Sequence, residues 1–261
     1  MSHVVPQIFR YESIASTNST LKERALQGAQ EGTVIVAKQQ TLGRGRGERQ
    51  WHSPAGGLYL SLLLTPNFTI RPTDLALLAG AVMTQTVKSF FPSSLSVGVK
   101  WPNDCLIQGK KVGGVLCETI GEPTRLAIIV GVGININVPS SELKAFDSRP
   151  FKATSFLEVS QGKSFELDKV LESFLKFFFK AYEVYQLEGF RFIQTLWEKE
   201  CLFIGKKIEL KETGLSLGKN INSASIQGTF LGIDESGALV LSTSQGERKS
   251  FVTGEITCCW S

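Results

Sequence analysis

The segment Gly43-Arg44-Gly45-Arg46-Gly47-Glu48-Arg49-Gln50-Trp51 gathers more reactive chemistry than any other stretch of the chain. Alternating glycines let the backbone bend closely round a ligand and present several N–H groups to it. Arg44, Arg46 and Arg49 stand so close together that they repel one another unless an anion sits among them. Their guanidinium groups can clamp phosphate or carboxylate through paired hydrogen bonds, and Trp51 offers a flat face for a nucleobase. The pattern points to a phosphate-bearing ligand with an aromatic base. It has neither the G-x-x-x-x-G-K-[ST] spacing nor the helix-opening glycines of a dinucleotide fingerprint. The competing reading is an Arg/Gly tail that binds nucleic acid. Such tails repeat and lie at termini, whereas this segment occurs once, between two predicted strands.

Three further clusters carry polar chemistry. Lys100-Trp101-Pro102-Asn103-Asp104 ends a strand in a turn that presents an amide and a carboxylate. Asp104 is suited to hold Mg²⁺ or to orient an incoming amine, and Asn103 to fix a phosphate or ribose; a plain Asx turn is the bland alternative. In Lys110-Lys111-Val112-Gly113-Gly114, one lysine can offset charge where a carboxylate meets a phosphate, although paired lysines also suit a solvated hairpin. Gly131-Val132-Gly133-Ile134-Asn135-Ile136-Asn137 places small residues in a buried strand, as a backbone-hugging ligand or a β-bulge requires. No G-x-S-x-G elbow is present, and neither His3 nor His52 has an orienting partner nearby in sequence. Positioning and electrostatics therefore explain the chemistry better than a covalent enzyme intermediate.

Regular elements must hold these clusters in place. The spacing predicts a helix after Ser16-Thr17-Asn18 that stops at Gly28, then strands over 33–37 and 58–64. Thr73 is placed to cap an almost wholly apolar helix over 74–88. Further strands are expected over 97–101, 111–118 and 126–138. Leu167, Val170, Leu171, Phe174, Leu175, Phe178, Ala181 and Tyr182 follow i, i+3, i+4 spacing within a helix over 165–185, and a shorter helix spans 190–199. The aromatic stripe reads as core rather than as a cofactor box. Beyond Phe203 the texture changes to short alternating strands over 206–211, 225–233, 238–242 and 248–252, with turns at 234–237 and 244–247. The expected division is therefore a larger domain over 1–203 and a small β unit over 204–261.

Composition bounds the rest. The 261 residues, with 42% hydrophobic and 20% charged, allow a sizeable core. Lys+Arg 28 against Asp+Glu 24 leaves +4, too mild to imply nucleic acid by itself. Two histidines are too few for a His-rich metal centre, and five cysteines without C-x-x-C spacing argue against a disulfide scaffold or zinc ribbon. No apolar run approaches the ~20 residues of a membrane helix, and the first ten residues lack a secretion signal. A cytoplasmic protein with reduced, functionally unassigned cysteines is expected.

Taken in order, these segments resemble the biotin–protein ligases, also called biotin–acetyl-CoA-carboxylase ligases. The likeness rests on Ser16-Thr17-Asn18, Gln40, Gly43-Arg44-Gly45-Arg46, Arg49, Trp51, Tyr59, Lys100-Trp101-Pro102-Asn103-Asp104, Lys111 with Gly113-Gly114, and Gly131-Val132-Gly133-Ile134-Asn135, with a weaker match over 228–256. The resemblance implies an α+β fold: a mixed β-sheet flanked by helices, class II aminoacyl-tRNA-synthetase-like, with a small C-terminal SH3-like β-barrel. It implies that biotin attacks MgATP to give biotinyl-5′-AMP and pyrophosphate, after which a lysine of a biotin carboxyl carrier domain of acetyl-CoA carboxylase displaces AMP. Carried over by position, Ser16, Thr17, Gln40, Gly43, Arg44, Tyr59, Gly114, Gly131 and Gly133 surround biotin. Arg46, Arg49, Trp51, Asn103, Asp104 and Asn135 surround ATP, and Lys111 spans both. Lys111, Arg46 and Asp104 are the expected catalytic groups, with Asp104 also a candidate Mg²⁺ ligand. The Gly47-Glu48 order departs from the family, which often has the glycine second. Some relatives carry an N-terminal DNA-binding domain before the Ser16-Thr17-Asn18 motif; the expectation here is a ligase without DNA or membrane binding, with a homodimer possible through sheet edges. The nearest alternatives are a lipoate–protein ligase or acyltransferase of the related fold, and a non-enzymatic nucleic-acid-binding module.

Overall fold

The computed structural model describes residues 4–47, 49–66, 70–121, 126–144, 151–211 and 225–260. Strand β1 (Gln7–Ile14) leads into helix α1 (Thr17–Leu26), which returns to β2 (Thr33–Gln40) parallel to β1. Then follow β3 (Leu58–Leu64), α2 (Pro72–Ser89), β4 (Val97–Lys100), β5 (Asp104–Ile107), β6 (Lys110–Ile120) and β7 (Ala127–Ile134). The strands lie in the order β1-β2-β3-β7-β6-β5-β4, antiparallel apart from the first pair. The sheet is mixed and flanked by helices, as expected.

Strand alternation gives this sheet two different faces. Leu58, Leu60, Leu62 and Leu64 lie opposite Ile134, Val132, Val130 and Ile128, and all eight join the main core. That face is covered by α2, by α5 (Leu167–Glu188) and by α6 (Phe190–Glu200). On the other face Tyr59, Ser61 and Leu63 oppose Gly133, Gly131 and Ile129. There, among the described helices, α1 packs down through a small cluster of Leu21, Ile35, Leu63 and Ile129. Beyond α1 the second face is left to Ser61 and the glycines. The site lies on that uncovered part.

The start of α2 differs from expectation. Arg71 occupies the cap position and Pro72 the first helical turn, where its missing N–H costs nothing. Arg71 Nε then pairs with Asp74 Oδ1 at 2.9 Å. The α5 stripe is core, as read: Val170, Leu171, Phe174, Phe178 and Tyr182 are buried, joined by Phe179 and Tyr185, while Leu167 is only partly buried.

Short helices α3 (Ser140–Lys144) and α4 (Phe156–Val159) precede α5. After α6, β8 (Lys207–Lys211), β9 (Ser225–Ile233), β10 (Leu239–Ser242), β11 (Arg248–Phe251) and β12 (Glu255–Trp260) form a second, antiparallel sheet in the order β11-β10-β9-β8-β12. Ile208, Leu210, Phe230, Leu239, Leu241 and Ile256 belong to the same core as the first sheet. Polar ties reinforce that packing: the Nε1–H of Trp101 donates to Gly237 O at 3.1 Å, and Gln194 Nε2 donates to Ile233 O at 2.6 Å. Among the described residues no helix is long and apolar enough to cross a membrane. The thiols of Cys105 and Cys201 are each pushed by burial up to about 12, so both stay protonated and inert near neutrality. Cys258 and Cys259 carry no described side chains.

Candidate active site

A cavity of about 690 Å³ opens over the uncovered sheet face. One wall is the start of α1. Thr17 directs both its backbone N–H and its hydroxyl to Gln40 Oε1, at 2.8 and 3.1 Å. Gln40 Nε2 donates onward to Ser53 Oγ at 2.8 Å. Asn18 Nδ2 donates to Glu118 Oε2 at 2.7 Å, while Asn18 Oδ1 lies 2.5 Å from the Ser61 hydroxyl. Ser16 is buried on this wall and does not use its hydroxyl to cap the helix. Uncharged donors and acceptors held this firmly suit a neutral, hydrogen-bonding head group.

The floor is glycine. Gly114 opposes Gly133, and Leu116 opposes Gly131, across β6 and β7. Side chains would collide there. A Cβ on Gly131 would overlap the Asn18 amide, one on Gly133 would lie 2.6 Å from Trp51 Nε1, and one on Gly114 would lie 3.2 Å from Asp104 Oδ1. The glycines therefore admit the wall residues as well as leaving depth for a ligand. Trp51 Nε1 is buried here without a hydrogen-bond acceptor among the described residues.

At the other end the cavity is ionic. Lys111 Nζ meets Asp104 Oδ1 at 2.6 Å, and Lys100 Nζ lies 3.5 Å from Asp104 Oδ2. Lys111 also stands 5.3 Å from the Trp51 ring centre, and Lys100 4.5 Å from that of Phe151. Arg49 Nη2 reaches Glu255 Oε2 at 2.7 Å from the start of β12. Arg44 is already paired, with Glu118 Oε1 at 2.8 Å. Setting that pair aside, Arg46, Arg49, Lys100 and Lys111 face Asp104 and Glu255, so the wall carries a surplus of positive charge.

The ionisation of these groups follows from that arrangement. Burial alone would raise the Asp104 carboxyl, but Lys111, Lys100 and Arg46 outweigh it and hold it below the ordinary carboxylate value. Burial lowers the Lys100 ammonium, with Asp104 opposing, and does the same to the Arg46 guanidinium. A cavity that disfavours its own cations through desolvation gains by admitting an anion.

Most residues singled out in the sequence converge on this wall: Ser16, Thr17, Gln40, Arg44, Arg46, Arg49, Trp51, Asn103, Asp104, Lys111, Gly114, Gly131 and Gly133. Three lie off it. Tyr59 shares the site face of the sheet but is wholly buried, its ring packed against Gly57 and its hydroxyl donating to Pro54 O at 2.8 Å, so it does not reach the cavity. Asn135 spends its amide on Thr154 O at 3.0 Å and lines a smaller neighbouring cavity with Trp51, His52 and Phe151. Gly43 is pressed against the Trp51 carbonyl and Ser53, and borders a shallow depression outside the loop. Asn103 gives its amide to the Val115 carbonyl, which fixes the turn rather than freeing the group for a ligand. Glu48 lies outside the described residues.

Sequence reading gave no role to Lys100, Asn18, Glu118 or Glu255. The first two stood inside recognised motifs. Glu118 and Glu255 act on residues 74 and 206 positions away, a relationship that only the fold creates.

Residues 11–135 match the model of the Biotin/lipoate A/B protein ligase family, and residues 217–257 that of the Biotin protein ligase C terminal domain. The chain is 37% identical over 245 residues to the Bifunctional ligase/repressor BirA of Bacillus spizizenii, covering 91% of this chain and 70% of that one. It is 29% identical over 243 residues to the Biotin--[acetyl-CoA-carboxylase] ligase of Paracoccus denitrificans, covering 90% and 95% of the two chains. The fold is similar to that of the biotin protein ligase from Aquifex aeolicus solved with biotin and ATP. There the TM-score is 0.76, the identity 28%, and the coverage 98% of this chain and 99% of that one.

Proposed function

This chain belongs to the biotin protein ligase family, and from that premise we infer that it is an ATP-dependent biotin ligase acting on a lysine of a biotin carboxyl carrier domain. In the first step a biotin carboxylate oxygen forms a bond to the α-phosphorus of ATP, the bond to the bridging oxygen breaks, and pyrophosphate leaves. In the second, the lysine ε-amine forms an amide with the biotin carbonyl, the acyl–phosphate bond breaks, and AMP leaves with the electron pair.

The observation that carries the assignment is the division of one cavity into a neutral polar end and a cationic end. Ser16, Thr17 and Gln40 offer the hydrogen-bonding groups that biotin's ring demands, over the glycine floor of Gly114, Gly131 and Gly133. Arg46, Arg49 and Lys111 line the end where two anions must meet, and their fixed charge offsets the repulsion as the phosphorus is attacked. Trp51 presents its ring to the nucleotide, with Asn135 behind it in the adjoining cavity. The glycine–arginine loop shields the mixed anhydride from water, a role supported by the lining that Arg44, Arg46, Arg49 and Trp51 give the cavity.

Among the described residues no group of three or more Cys, His, Asp or Glu could cage a metal. Mg²⁺ bound chiefly by nucleotide phosphates needs only one or two carboxylates, and Asp104, facing the cationic end, fits that requirement. There Mg²⁺ would neutralise phosphate charge, while the side chains described above bind and orient the two substrates. The alternative role for the Asp104 carboxylate, in the transfer step, is to orient the incoming amine or accept its proton.

The test is incubation of the purified chain with biotin and MgATP, followed by addition of a biotin carboxyl carrier domain. Pyrophosphate release, then a carrier mass increased by one biotinyl group, is the expected result. Release with lipoate alone would move the substrate to the related acyl ligases, and release with neither would overturn the reading.

A further inference from the structure

We propose that Lys100 is a positioning residue for adenylation, a fixed counter-charge that holds Asp104 in place while Lys111 swings to the reacting anions. The inference rests on the ligase reading above and adds a residue to the three expected catalytic groups.

Its basis is the unequal grip of two lysines on one carboxylate. Lys111 Nζ holds Asp104 Oδ1 at 2.6 Å, so its charge is already engaged. To neutralise a carboxylate and a phosphate as they meet, that ammonium must leave Asp104 or share it. A largely buried carboxylate stripped of its closest cation is unfavourable and would tend to move out of position. Lys100 prevents this, because its ammonium faces the other oxygen, Oδ2, at 3.5 Å.

The two lysines also differ in freedom. Lys111 has an 18% exposed side chain, with its backbone fixed by Lys152 O and Thr154 N while the side chain reaches into the cavity. The Lys100 side chain is 4% exposed and lies against the Phe151 ring. The turn between Lys100 and Asp104 is itself tied down. Trp101 donates to Gly237 O, and Trp197 Nε1 donates to Pro102 O, both at 3.1 Å. Lys100 and Asp104 thus form a rigid pair, and of the two lysines Lys111 is the more exposed and the better able to follow the substrates.

The test compares Lys100→Met, which keeps length and apolar packing, with Lys100→Arg, which keeps the charge. Biotin affinity is measured by calorimetry without nucleotide, adenylation by pyrophosphate release, and transfer from supplied biotinyl-5′-AMP by carrier mass. Lys100→Met should lower the adenylation kcat by about tenfold or more, with KM for both substrates and the transfer rate within about threefold. Lys100→Arg should recover most of the rate, and it remains informative if the Met variant folds poorly. Adenylation at the wild-type rate in Lys100→Met, equal losses in biotin affinity and in both half-reactions, or no recovery in Lys100→Arg would overturn the proposal. A wild-type chain that releases no pyrophosphate would instead remove the ligase reading, and this inference with it.

Discussion

Arg49 Nη2 and Glu255 Oε2 meet at 2.7 Å, so the glycine–arginine loop is fastened to the second sheet by residues 206 positions apart. Glu255 and its neighbours Thr253 and Gly254 form part of the cavity wall. The loop is restrained by a group from the far end of the chain.

Replacing Glu255 with Gln should release that restraint. Trypsin should then cut at the loop arginines at least about threefold faster, while global stability moves by no more than ~1 kcal/mol, the usual worth of a half-exposed ion pair. Unchanged cleavage, measured on gels against a thermal melt, would show that the pair does not restrain the loop.

Asp104→Asn removes the carboxylate from between two lysines, one of them buried. Breaking such a pair is expected to cost about 3 kcal/mol near neutral pH. The pH dependence follows from the direction of the shift. The carboxyl is held below its ordinary 3.8, so its contribution is present above that value and is lost as pH falls through the lower folded value. Urea unfolding of the two proteins should therefore differ by a constant amount between about pH 7 and about pH 5, the gap closing only in stronger acid. A gap already closing at pH 5 would contradict the depressed carboxyl.

Gly131→Ala is the sharpest probe of the floor. Its methyl would overlap the Asn18 amide, which Glu118 and the Ser61 hydroxyl hold in place. Overpacking of this kind costs ~1–3 kcal/mol, and calorimetry should show biotin binding weakened by about tenfold or more. Wild-type affinity would take Gly131 out of the binding site.

The order of helices and most strands was legible because α5 carries strong periodicity and α2, β2, β3 and β7 are strongly apolar runs. Where that signal weakens, reading failed. The edge strand β1, Gln7–Ile14, is largely exposed, and Phe9 and Tyr11 mark its inner face, too short an alternation to signal a strand. Strand β5, Asp104–Ile107, begins directly after a Pro-Asn pair and reads as the turn it follows. Strand β12 starts at Glu255 and was not anticipated.

The site was legible in its residue types more than in its geometry. Local motifs supplied Thr17, Arg46, Lys111 and the floor glycines. Which of them reach the cavity depended on more than strand parity: Tyr59 opposes Gly133 on the same face yet is covered by the segment over 54–57. The pairings of Arg44 with Glu118 and Arg49 with Glu255 had no local signature.

The two unlike faces of the first sheet bear on how such an enzyme can be altered. Fold stability is concentrated on the side packed by α2, α5 and α6, whereas recognition sits opposite, under a single short helix and a loop. Substitutions at Ser16 and Gln40, which line the cavity without belonging to either apolar core, should therefore redirect acid selectivity with little penalty to folding, which makes this wall the natural place to engineer acceptance of biotin analogues.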